Sequence, residues 1–165
     1  MMGTPSTTLP LLTVNYTSAA TAAIALPGAL NAIADLGVPT TTKRLVFSSG
    51  MGMGGMGGGM MSFLIDGKSF DPSRVDRTSR VNEIEQWTIE NRSSMDHPFH
   101  LHGFRFQLIA PAADVAWRDT INIPAGQTVV FRTRLEDHAG RWMYHCHILE
   151  HAERGMMGEL EVATP

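Results

Sequence analysis

The side chains with the most chemical reach lie in two short runs. The first reads His97-Pro98-Phe99-His100-Leu101-His102-Gly103, and the second is His145-Cys146-His147, followed by His151 and Met156. Together they hold six of the seven histidines and the single cysteine, leaving His138 apart in Glu136-Asp137-His138, a solvated turn to which no function is assigned. Successive side chains of an extended strand point to opposite faces. His100 and His102 then share one face, while His145 and His147 stand together opposite the Cys146 thiol. Pro98 interrupts regular pairing, which frees His97 to aim elsewhere. A thiolate, two imidazoles and a thioether form a soft donor set, and two histidines, a cysteine and an axial methionine describe a blue-copper electron-transfer centre. Zinc is the rival, because cysteine and histidine also satisfy a tetrahedral zinc ion. A helix starting at 147 would set His147 and His151 on one face for zinc; the Cys/His alternation of a strand argues against it.

These side chains need a rigid frame, and the composition allows one. The chain has 165 residues, 43% hydrophobic and 18% charged, enough for one domain with a proper core. Thirteen Lys+Arg against sixteen Asp+Glu leave a net charge of -3, which speaks against nucleic acid as a partner. A lone cysteine excludes an intrachain disulfide. Residues 18–36 are small and apolar but broken by Pro27, Gly28, Asn31 and Asp35, so no membrane span is expected, and no basic region precedes them as a signal peptide would require.

From Lys43 onward, short β-branched and aromatic runs alternate with turn residues, the pattern of a sandwich or barrel. Strands are predicted near 43–48, 62–66, 81–90, 104–109, 116–123, 127–135, 140–147 and 158–163. A further strand is expected at Leu11–Tyr16 and a turn or two of helix at Leu149–Arg154. Asp66-Gly67 and Ala125-Gly126 stand where tight turns are needed. Residues 1–42 read as an N-terminal segment and linker. Gly50–Met61 holds five methionines and seven glycines, too glycine-rich for a regular element and a candidate Cu(I)-binding or metal-access loop. Asp96 and Asp119 are candidate acceptors for ligand imidazoles. Asn91-Arg92-Ser93 fits the glycosylation triplet, which is too common to count on its own.

The runs at 97–103 and 145–156 (HPFHLHG and HCHILEHAERGM) resemble the copper-binding signatures of the last cupredoxin domain of the multicopper oxidases, the laccase-like enzymes. The resemblance extends over most of 43–163, including Phe63–Asp71. It implies an all-β, cupredoxin-like Greek-key sandwich or barrel at 43–165. It also implies type 1 copper at His97, Cys146, His151 and axial Met156, a type 2 ligand in His100, and type 3 ligands in His102, His145 and His147. The implied activity is one-electron oxidation of a phenol, aromatic amine or metal ion, with electrons passing from Cys146 toward His145 and His147 and dioxygen reduced to water.

Four histidines are too few for a trinuclear cluster, so a preceding cupredoxin domain or another chain is expected to complete it, and Leu11–Val14 resembles the closing strand of such a domain. Ala152 stands where many bacterial members carry an acidic residue, with Glu150 and Glu153 beside it. The resemblance implies a periplasmic or extracellular location. A stand-alone cupredoxin electron carrier and a copper-sequestering protein are the alternatives.

Overall fold

A computed structural model describes residues 12–15, 17, 25, 28, 32–51 and 61–164. From Ile33 onward they form one compact unit. Eleven strands and one short helix follow in chain order: β1 Thr41–Met51, β2 Met61–Ile65, β3 Arg77–Arg80, β4 Ile84–Asn91, β5 His97–Leu101, β6 Phe106–Ala110, β7 Asp114–Arg118, β8 Thr120–Ile123, β9 Thr128–Arg134, β10 Gly140–Cys146, α1 Leu149–Glu153 and β11 Met157–Ala163. They build two sheets, ordered β2-β1-β4-β9-β6-β7 and β3-β11-β10-β5-β8. All pairings are antiparallel except β1 with β4 and β11 with β3.

The period-2 pattern explains which faces meet. Leu45 and Phe47 of β1, Trp87 and Ile89 of β4, Phe99 and Leu101 of β5, Phe131 of β9 and Tyr144 and Cys146 of β10 are fully buried in a single core. Phe131 stacks on Trp87 and Phe106 at centroid distances of 6.0 and 4.2 Å, and Tyr144 meets Trp87 edge-on at 5.8 Å. Alternation along β4 is imperfect in the sequence because Glu85 points inward with Trp87 and Ile89. Its carboxylate accepts the Trp87 indole N–H at 2.8 Å and lies 3.3 Å from Lys43 Nζ, so the buried charge is paired.

Several expectations need correction. Leu12–Asn15 are exposed and form no strand, while Leu11 and Tyr16 lie outside the described residues. The single strand expected at 116–123 is two, β7 and β8, which belong to different sheets and meet at a corner on Asp119. His97–Leu101 is itself a strand, bound between β10 and β8. The edge strand β3, Arg-Thr-Ser-Arg, has no apolar residue to reveal it. The central part of the Met/Gly run, residues 52–60, lies outside the described residues. Asp66-Gly67 does form a two-residue turn with positive φ at both positions, closed by Ile65 and Lys68 exchanging backbone hydrogen bonds.

Ala34–Gly37, within the expected linker, is tied to the sandwich. The Gln107 side chain donates to Ala34 O at 2.8 Å and accepts from Leu36 N–H at 3.1 Å, and Arg132 Nη1 donates to Gly37 O at 2.7 Å.

Candidate metal centre

Pairing in the second sheet assembles the histidines. In the β5–β10 register His145 faces His100 and Cys146 faces Phe99, so the two sequence runs become neighbours. Cys146 points into the core and is fully buried, whereas His145 and His147 project from the opposite face, as the strand period requires.

On the buried side stand His97 at the start of β5, Cys146 at the end of β10 and His151 on α1. His97 Nδ1 is 3.1 Å from His151 Nδ1, and Cys146 Sγ is 3.6 Å from each. The point equidistant from these three atoms lies about 2.0 Å from each, close to a metal–imidazole bond length. A group of one thiol and two imidazoles sharing one centre, with Phe47 and Phe63 packed against the imidazoles, fits a single soft ion. Phe63 stacks on His151 at a centroid distance of 3.8 Å, and Phe47 meets His97 edge-on at 5.8 Å.

Backbone geometry brings in the fourth candidate. Cys146 N–H donates to Met156 O at 3.1 Å and Met156 N–H to His151 O at 3.0 Å, so the loop carrying His151 closes on Met156, which is wholly buried. The loop can turn only through Gly155, whose φ is +103° and whose position would bring a Cβ within 1.9 Å of Ser69 Oγ. Helix α1 starts at Leu149, so His147 lies off it, at the surface; the His147/His151 zinc pair does not form.

Desolvation sets the electrostatics. Burial, reinforced by neighbouring His151, pushes the His97 imidazole down to about 4, and burial lowers His151 as well. Burial pushes the Cys146 thiol up, so binding a metal requires loss of its proton. Both imidazoles are therefore neutral, as ligands must be.

A second group lies at the surface. His100, His102 and His145 have ligand atoms within 4.8 Å of one another, and His102 Nε2 is 2.9 Å from His145 Nε2. His147 joins through its ring, 5.6 Å from His145 and 5.5 Å from His100. Two of these rings are oriented from behind. His145 Nδ1 is 2.9 Å from Cys146 O and His100 Nδ1 is 3.0 Å from Asp119 O, both obligate acceptors, so each Nδ1 carries the proton and Nε2 is left as the ligand atom. The expected role of Asp119 is thus met by its backbone carbonyl at the sheet corner, its carboxylate standing 3.9 Å away. Asp96 instead accepts from Asn122 Nδ2 and Ala125 N–H and holds the turn after β8. Glu150 pairs with Arg154 at 2.7 Å.

Sequence reasoning missed Ser93. Its buried hydroxyl lies 2.7 Å from His97 Nε2, held there by Asn91 at the end of β4.

The chain resembles known proteins over much of its length. A family model described as multicopper oxidase matches residues 40–165. The multicopper oxidase of Staphylococcus aureus is 43% identical over 112 residues, 59% of this chain and 24% of that protein, and the laccase of Bacillus subtilis is 28% identical over 115 residues, 55% and 22%. The chain thus spans about a quarter of the length of the curated relatives it matches. Among solved structures, a multicopper oxidase from Campylobacter jejuni described as a metallo-oxidase superposes with a TM-score of 0.73 at 38% identity, covering 86% of this chain and 34% of that one. The sandwich is cupredoxin-like, and the chain belongs to the multicopper oxidase family.

Proposed function

We propose that this chain is the electron-accepting domain of a laccase-like multicopper oxidase, in which His97, Cys146, His151 and Met156 would hold type 1 copper. The observation that carries the reading is the triangle of Nδ1, Nδ1 and Sγ atoms, whose centre lies about 2.0 Å from each. The copper supplies one-electron oxidation of the reductant and, at the cluster, reduction of dioxygen to water. Cys146 would hold the ion on one side of β10, while His145 and His147, its covalent neighbours, turn to the other. The backbone between them would give a short covalent route from the Cys146 sulfur to the surface group, where His100 would be the type 2 ligand and His102, His145 and His147 the type 3 ligands. Phe47 and Phe63 pack on His97 and His151, and all three donors are buried away from bulk solvent.

In this reading residues 43–165 carry the copper ligands, residues 33–42 join the same compact unit, and the residues before them are a linker with the end of a preceding cupredoxin domain. That domain, or another chain, faces His100, His102, His145 and His147 and completes the cluster. The reductant is a phenol, an aromatic amine or a metal ion, and the description of the Campylobacter jejuni neighbour as a metallo-oxidase supports the last of these. The location is periplasmic or extracellular; no helix among the described residues is long and apolar enough to cross a membrane. The surface group, in which His100 and His145 are held with Nε2 as the free ligand atom, favours this reading over a stand-alone electron carrier or a copper store.

Copper loading with oxygen-uptake measurement tests it. The expected result is an intense thiolate charge-transfer band, bleached by a phenolic donor, without sustained oxygen uptake by the chain alone. Absence of the band overturns the type 1 assignment, and steady four-electron turnover by the monomer overturns the need for a partner.

A further inference from the structure

Asn91, Ser93 and His97 form a buried relay whose proton positions can be read from its acceptors. Asn91 Nδ2 lies 2.7 Å from Met95 O, 3.0 Å from Ile123 O and 3.1 Å from Pro124 O. Three carbonyls can only accept, so the amide nitrogen must face them, and Asn91 Oδ1 must face Ser93. Ser93 N–H donates to that oxygen at 3.0 Å, and Ser93 Oγ lies 2.8 Å from it. Met95 O is another obligate acceptor, 3.1 Å from Ser93 Oγ. A hydroxyl has one proton. Sent toward His97, it would leave two oxygen–oxygen contacts with no hydrogen between them. Directed to Asn91 Oδ1, it leaves a single such contact, the longer one to Met95 O at 3.1 Å, and lone pairs for Met95 N–H at 3.2 Å and for the imidazole at 2.7 Å.

We propose that Ser93, oriented by Asn91, is a positioning residue that fixes His97 as the Nε2–H tautomer and so presents the Nδ1 lone pair to Cys146 and His151. The inference rests on the metal centre proposed above only for its consequence, since the tautomer is a property of the metal-free chain. His97 is fully buried, so its Nε2 proton is out of reach of bulk solvent. Without the hydroxyl, the Nε2 proton has no acceptor, and the Nδ1–H form, donating to His151 Nδ1 at 3.1 Å, becomes the better satisfied state. That form carries a proton where the ligand lone pair must be.

Long-range nitrogen–proton NMR of the metal-free, full chain reads the tautomer directly, and chelator competition with copper(II) reads affinity. The parent chain should show His97 only as Nε2–H. Ser93→Ala should show a substantial Nδ1–H population and bind copper 10- to 100-fold more weakly, and Ser93→Thr, which keeps the hydroxyl, should restore both. Ser93→Ala with an unchanged tautomer and unchanged affinity overturns the proposal. Should Ser93→Ala not fold, the parent spectrum decides, because an Nδ1–H form of His97 there overturns it equally. A chain with the fixed tautomer that takes up no copper would refute the proposed function and leave this inference standing.

Discussion

Cys146 and Met156, ten residues apart, are joined backbone to backbone by a 3.1 Å hydrogen bond from the Cys146 N–H to the Met156 carbonyl. One strand end and one loop end are thereby pinned together, and both side chains are wholly buried. This closure brings the Met156 loop up to the end of the strand that carries Cys146.

Cys146 supplies the only thiolate, so Cys146→Ser should abolish the blue charge-transfer band of the copper-loaded chain. Met156→Leu conserves volume in a packed site and should cost less than about 1.5 kcal/mol of stability. It should keep the colour and raise the reduction potential, since losing an axial thioether destabilises Cu(II). Absorption spectra and redox titration check both; a persistent band in Cys146→Ser would sink the assignment.

The surface histidines should titrate as a separate site. His102→Ala combined with His145→Ala should lower the copper bound per chain while leaving the band from the buried site intact. Copper analysis beside the visible spectrum measures the two independently, and parallel loss would mean that the groups do not act separately.

Gly155 should not tolerate a side chain. Its φ of +103° is one that L-residues rarely adopt, and a Cβ there would meet Ser69. Gly155→Ala should cost about 2–4 kcal/mol, from backbone strain and displacement of Ser69, and weaken copper binding through the His151–Met156 loop. Denaturant unfolding would contradict this if the variant stayed within about 0.5 kcal/mol of the parent.

Acid should destabilise the metal-free chain in a defined window. The His97 imidazole is held at about 4 against 6.5 when unfolded. Between those values the unfolded chain binds a proton that the folded chain refuses, so stability falls as pH drops through the window and levels off below about 4. The loss from His97 is roughly 3 kcal/mol, and burial of His151, His145 and His102 acts in the same direction. Asp71, Glu90 and Asp96 are held below the usual carboxylate range by their hydrogen-bond partners and respond at lower pH. Unfolding curves at pH 7 and pH 4 measure the loss, and His97→Gln should flatten it.

The two histidine runs and the lone cysteine were legible from the chain because strand alternation is a local property. His145, Cys146 and His147 declare their faces by spacing alone, and turn residues such as Asp66-Gly67 declare theirs by chemistry. Tertiary structure decided which runs meet, through the register that sets His145 opposite His100, and it divided the expected strand at 116–123 between two sheets at Asp119. It also decided the direction of each imidazole. Asn91-Arg92-Ser93 fits in the sequence a glycosylation triplet too common to count, yet the Asn91 and Ser93 side chains are buried behind His97. No local pattern could reveal that, because the carbonyls that orient Asn91 include those of Ile123 and Pro124, more than thirty residues away, and only folding brings those acceptors to it.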